Sequence, residues 1–217
     1  MRLELHNYFR SSSSYRVRIA LGLKGLAYDY LPVHLNRGGG EQFSPAFRAL
    51  SPDAVVPVLA TGDGATLVQS LAIIEWLDET QAGAKLLPPS ANQRAWVRAL
   101  CQTIACEIHP LNNLRVLKYL TGALGLTEAQ KLAWIRHWTE GGLAAVEAML
   151  ARRTDASVFC HGDQPGMADC CLVPQAFNAA RFGIDVAAYP LVAGIVAACE
   201  RLPAFAAAHP ARQPDAE

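Results

Sequence analysis

The feature that most constrains this chain is a change of hydrophobic period near residue 90. Before it, short extended runs alternate with helical ones; beyond it, every long segment has helical spacing and no strand is needed. Strands must be paired, so any sheet has to be assembled within the first part of the chain. That part reads as a strand at 3–8, a helix opened by Ser11–Ser14 and continuing through an amphipathic Tyr15–Lys24, and a stop at Gly25. A second strand at Tyr28–Val33, the loop Arg37–Gly40 and a short helix around Phe43–Leu50 follow. Next come a strand at Val55–Leu59, the turn Thr61–Gly64, a strand at Ala65–Val68 and a helix from Ser70 to Thr80. The order is βαβαββα.

Gln81–Gln93, with Gly83, Pro88, Pro89 and Ser90, is the best linker in the chain. The expected fold class is therefore α/β plus all-α: a βαβαββα domain over residues 1–80, a linker over 81–92 and an all-helical domain over 93–217. The helices of the second part fall at Arg94–Ile108, Thr127–Ala151, Met167–Phe182 and Leu191–Leu202. Thr127-Glu-Ala-Gln130 has the spacing of a capping box. The tail from His209, with two prolines and no apolar period, reads as a surface extension.

Composition narrows the partners. Nineteen basic and nineteen acidic residues cancel, so the field that would attract a nucleic acid or an anionic membrane is missing. The most apolar stretch, Leu191–Cys199, is far shorter than the roughly 20 residues that span a bilayer. The start carries Arg2 and Glu4 and no apolar run, unlike a secretory signal, and the expected location is the cytoplasm. Six cysteines, at 101, 106, 160, 170, 171 and 199, show no C-x-x-C or zinc-like spacing and read as buried reduced thiols, with no metal site. Cys160-His161 is a poor nucleophile pair, because neighbouring residues on a strand or loop point apart.

Single features keep two readings. Ser11–Ser14 at a strand-to-helix junction make a polar turn whose last member caps the helix, or a seat for an anion such as a thiolate, reinforced by Arg10. Pro57 inside an apparent strand is a trans edge-strand proline or follows a cis Val56–Pro57 bond. Gln69-Ser70 is an ordinary helix start or a carboxylate seat. The polar cluster His109–Arg115 ends or kinks a helix, and Arg181 in an apolar helix either snorkels, pairs with Asp169, Asp185 or Glu200, or meets an anion.

Taken together, these strings resemble one family. Phe9-Arg-Ser-Ser-Ser-Ser-Tyr-Arg-Val-Arg-Ile-Ala-Leu21 is similar to the signature of the zeta-class glutathione transferases, which include maleylacetoacetate and maleylpyruvate isomerases. Val56-Pro57, Gln69–Glu75, Leu86-Leu-Pro88, His109–Asn113, Gly162-Asp163, Ala168–Gln175, Ala180-Arg-Phe182 and His209–Asp215 keep the family's order and spacing, so the resemblance covers essentially the whole chain. It implies a thioredoxin-like domain followed by an all-helical one, and a homodimer joined through Arg94–Ile108 and Thr127–Ala151. It also implies a reaction: glutathione thiolate adds to the cis double bond of a maleyl-β-diketo acid, the resulting single bond rotates, and elimination releases the fumaryl isomer.

The resemblance assigns roles as well. Ser11 steadies the thiolate, with Ser12 and Ser13 beside it; Gln42 and the main chain of Val56 hold the glutathione backbone; Gln69 and Ser70 take its γ-glutamyl end; Asn112 adds a contact. Arg10 and Arg181 grip the two carboxylates of the substrate, and Arg115 fits the arginine-richer maleylpyruvate pattern. Two departures stand out. Ser13 replaces a cysteine common in eukaryotic members, and Gly166 replaces the usual Thr or Ser three residues before Asp169, which as a weak N-cap should still leave Asp169 structural. The rival readings are a general glutathione transferase or α-haloacid dehalogenase, which needs no pair of substrate arginines, and a non-catalytic protein of the same fold.

Overall fold

The computed structural model describes residues 2–154 and 157–217; Met1, where the charged start begins, lies outside them. The chain forms two compact units, Met1–Leu87 with Glu200–Glu217, and Pro88–Cys199.

In the first unit β1 (Glu4–Asn7), α1 (Ser12–Leu23), β2 (Asp29–Pro32), α2 (Pro45–Leu50), β3 (Val58–Ala60), β4 (Thr66–Val68) and α3 (Ser70–Thr80) follow in βαβαββα order. The strands form one mixed sheet, β2-β1-β3-β4. β1 is parallel to β2 and antiparallel to β3, and β3 is antiparallel to β4, so that His6, Val58 and Val68 lie in one row. A parallel pair cannot be joined by a tight turn, and α1 supplies the crossover between β1 and β2.

Three expectations change here. The β3 ladder starts at Val58 rather than Val55, so Pro57 stands before it and costs no ladder hydrogen bond; the Val56–Pro57 peptide is cis. The Tyr15–Lys24 segment is not amphipathic. Arg16, Val17, Arg18, Ile19, Ala20 and Leu21 are all buried, because the helix packs against both α3 and α9 (Pro203–Ala208). A β-carbon on Gly22 would stand 3.2 Å from that of Ala204, so glycine permits the close approach of α1 to α9.

The third change is the tail. Most of its residues from His209 on are exposed, but it is tied down rather than free: Pro210 and Gln213 are buried, and the amide of Gln213 donates to the carbonyls of Ala207 and His209 at 2.9 Å each. Asp215 accepts the Phe9 N–H at 3.1 Å and the Tyr30 hydroxyl. The Asp215 bonds reach residues distant in sequence, and hydrogen bonds of either kind leave no apolar period.

In the second unit α4 (Ala91–Gln102) runs on through a π-helical turn at Thr103–Ile108. α5 (Leu114–Gly122), α6 (Glu128–Ala151), α7 (Met167–Arg181) and α8 (Pro190–Glu200) complete it, the last residue of α8 falling in the first unit. The cluster His109–Arg115 does not merely end a helix. Asn113 begins α5, its side chain accepting the Arg115 N–H at 3.1 Å. The Thr127–Gln130 capping box is formed at the start of α6. All strands of the described residues lie before residue 70, and no helix among them is long and apolar enough to cross a membrane.

Candidate active site

Because His6, Val58 and Val68 form one row of the sheet, the chain leaving β1, the chain entering β3 and the chain leaving β4 emerge at one edge. β2 runs parallel to β1, so the segment after Pro32 leaves by that edge too. This places Arg10 and Ser11–Ser13, Gln42, Val56, and Gln69 with Ser70 along a single border of the first unit.

Ser11 is the N-cap of α1; its Oγ accepts the Ser14 N–H at 3.2 Å. The first serine of the run caps the helix, not the last. An accepting hydroxyl keeps its own proton, which remains available to an anion. α1 has no acidic residue in its first turn, so its free N–H groups and positive end meet no charge of the helix's own.

The loop that presents Ser11 is clamped from two sides. The guanidinium of Arg18, 1 % exposed, donates to Asn7 Oδ1 at 2.9 Å and to the carbonyls of Tyr8, Phe9 and Ala208 at 3.4, 2.9 and 3.1 Å. Opposite in sign, the Asp215 carboxylate holds the Phe9 N–H. Burial, reinforced by the hydrogen bond to Asp215, pushes the Tyr30 phenol up, so it stays a neutral donor. Arg10 is exposed, its guanidinium 4.9 Å from the centre of the Phe9 ring.

At the start of α3, Gln69 has φ 68° and ψ 114°, a conformation that costs a non-glycine residue free energy and is found mainly at functional sites. It makes no side-chain cap, and α3 likewise has no acid in its first turn. Ser70, buried, accepts from Arg16 Nη1 at 3.2 Å. Gln42 is buried, donates to the Leu35 carbonyl at 3.3 Å, and leaves its Oε1 without a partner. Val56 lies between the β3 ladder and Val55, whose N–H goes to Ser51 Oγ at 3.3 Å.

The remaining candidates lie in the second unit. Asn112 is buried, donates to Thr139 Oγ1 at 3.0 Å, and has an unpartnered Oδ1. Arg115 is exposed in the first turn of α5. Arg181, exposed in the last turn of α7, donates to Asn178 Oδ1 at 3.3 Å and lies 5.6 Å from the centre of the Phe182 ring. Asp169 is committed elsewhere: its carboxylate accepts the N–H groups of Gly166 at 2.8 Å and Cys160 at 2.9 Å.

The buried thiols Cys101, Cys160 and Cys170 are held in the protonated form. Burial pushes Cys160 and Cys170 up, and a hydrogen bond to Cys171 together with burial does the same for Cys101. Cys106 is exposed, against the expectation that all six are buried. No cysteine occurs in the first unit, so any sulfur chemistry at its edge must be brought by a ligand. Arg16, Arg18 and Asp215 were missed as parts of the site; the one signal was a pair of arginines two apart in an otherwise apolar helix.

Residues 10–80 match the model of the glutathione S-transferase N-terminal domain. The chain is 48% identical over 216 residues to a probable maleylacetoacetate isomerase of Vibrio cholerae, covering 100% of this chain and 99% of that protein. Among solved structures it is similar to the holo form of a bacterial zeta-class maleylpyruvate isomerase, with a TM-score of 0.94, 47% identity and coverage of 99% of this chain and 100% of that one. It is equally similar in fold, at a TM-score of 0.94 and 41% identity over 99% of each chain, to a maleylacetoacetate isomerase of Methylobacterium extorquens with bound malonate and glutathione.

Proposed function

The chain belongs to the zeta class of the glutathione S-transferase family, and from that premise we propose that it is a glutathione-dependent cis–trans isomerase acting on maleylacetoacetate or maleylpyruvate. The observation that carries this reading is the open start of α1, where Ser11 caps by accepting and keeps a proton to give. The residues also fit glutathione as the group. Gln42 and Asn112 each bury an acceptor oxygen that lacks a donor, and a peptide with free N–H groups supplies donors.

When bound, glutathione supplies the thiolate that adds to the cis double bond and departs once rotation has produced the trans isomer. Ser11 donates to that sulfur, and Ser12 and Ser13 offer further polar groups at the positive end of α1. Gln42 and the backbone of Val56 hold the peptide, Gln69 and Ser70 its γ-glutamyl end, and Asn112 adds a contact. Arg10 and Arg181, with Arg115, take the carboxylates of a dianionic substrate, since a guanidinium offers each a two-pronged donor. The fork also orients the substrate, as one freely rotating charge does not. The protein acts in the cytoplasm as a homodimer joined through α4 and α6; light scattering should return twice the 23.4 kDa of one chain.

The test is selectivity. The dianionic substrate should be turned over with kcat/KM orders of magnitude above that for the neutral electrophile 1-chloro-2,4-dinitrobenzene, and Arg181→Ala should damage only the former. Lysine at 181 should rescue little, because a point charge replaces a fork. Equal loss of both activities would make the arginine structural and move the general-transferase reading ahead.

A further inference from the structure

Two arginines of α1 are buried two residues apart, and they are unequally provided for. Arg18 donates to four oxygens. Arg16, 2 % exposed, donates through Nη1 to Ser70 Oγ at 3.2 Å, while its Nε and Nη2 are buried without a hydrogen-bond partner. Among the described residues no carboxylate lies within ion-pairing distance of it. A buried cation is costly unless an anion answers it, and the described residues supply none.

The hydroxyl that Arg16 touches points to where the anion comes from. With one lone pair of Ser70 engaged by the guanidinium, the Ser70 proton can be given only to an acceptor elsewhere. Ser70 opens α3, whose first turn holds no acid and whose preceding residue, Gln69, makes no side-chain cap. Free helix N–H groups, one directed hydroxyl proton and a fixed positive charge one hydroxyl away together describe a seat for a carboxylate.

We propose that Arg16 is a positioning residue for the cofactor: through Ser70 it is the buried counter-charge of the γ-glutamyl α-carboxylate of glutathione. The inference rests on the glutathione reading given above. It adds that recognition of this end of the ligand depends on a charge the ligand never touches. Arg16 then orients the Ser70 hydroxyl and makes the seat selective for an anion over a neutral group of the same shape.

The experiment is a cycle between protein charge and ligand charge, measured by calorimetry on the full chain. The ligands are glutathione and 4-aminobutyryl-cysteinyl-glycine, which lacks only the γ-glutamyl α-carboxylate. Wild type should prefer glutathione by roughly ten- to 150-fold, the range of one charge-assisted hydrogen bond. Arg16→Met should lose most of that preference by weakening glutathione alone, and Arg16→Lys should retain part of it. Equal weakening of both ligands, or an unchanged preference, overturns the proposal.

A readout on the wild type covers the case in which Arg16→Met does not fold. The Arg16 Nε–H resonance, identified by its absence in Arg16→Lys, should move on adding glutathione and stay in place with the analogue; movement with both overturns the proposal. Wild type that binds neither ligand would overturn the glutathione reading itself, and this inference with it.

Discussion

The starts of α1 and α7 present the same physical problem and solve it in opposite ways. Each leaves backbone N–H groups without helical partners and a partial positive charge. At α7 the chain answers with its own anion: Asp169, 1 % exposed, accepts from Gly166 and from Cys160 and so ties the preceding loop to the helix. At α1 a neutral serine caps, the first turn has no acid, and two buried arginines lie on the same helix. A helix start that carries its own counter-ion fastens the fold, whereas one that is denied it keeps its capacity to bind for something that arrives from outside.

Three substitutions test that contrast. The largest effect should come from Asp169→Ala, which strips the acceptor from two N–H groups and should cost about 2 to 6 kcal/mol of unfolding free energy, at about 1–3 kcal/mol for each orphaned donor. Urea titration checks it, and a loss below about 1 kcal/mol would mean that this start is not closed by its aspartate.

Ser11→Ala should act mainly on rate, lowering turnover roughly ten- to 150-fold for one charge-assisted hydrogen bond while removing only about 1 kcal/mol of stability as a cap. An absorbance titration of the glutathione complex should show the thiol pKa rising in the variant; an unchanged pKa would take Ser11 out of its role. The smallest effect belongs to Gly166→Ser, which adds the missing cap to a start already closed. A gain of a few tenths of a kcal/mol, about 1 °C in Tm, is expected, with no change in activity.

The βαβαββα order was readable because each of its signals is local: alternation in β1, the Thr61–Gly64 turn, and Ser70 before an apolar helical run that ends at Thr80. α5 and α9 were not. Both are short, and the contacts that hold them come from residues distant in sequence: α5 packs against α6, and α9 against α1, where Gly22 meets Ala204. Pro57 blurred the start of β3, since the residues before a proline favour extended backbone whether or not they are paired.

The same division applies to the site. Ser11–Ser13, Gln42, Val56, Gln69 and Ser70 could be named from recurring strings, and the sheet register explains why they share a border. The supports behind them could not. Arg16 and Arg18 look alike in the sequence, and only the folded arrangement separates the one answered by four oxygens from the one answered by a single hydroxyl. Asp215 lies in a tail without apolar pattern, so nothing local connected it to Phe9.

That tail has a consequence in the order of synthesis. The first unit needs Glu200–Glu217, and the whole of Pro88–Cys199 is translated in between. At the ~5–20 residues per second of a ribosome, roughly 7 to 30 s pass between completion of the sheet and arrival of the carboxylate that fixes Phe9 beside Ser11. The half of the molecule that is made first is thus the half that is finished last, and a nascent chain arrested within α8 would carry the sheet but no braced serine loop.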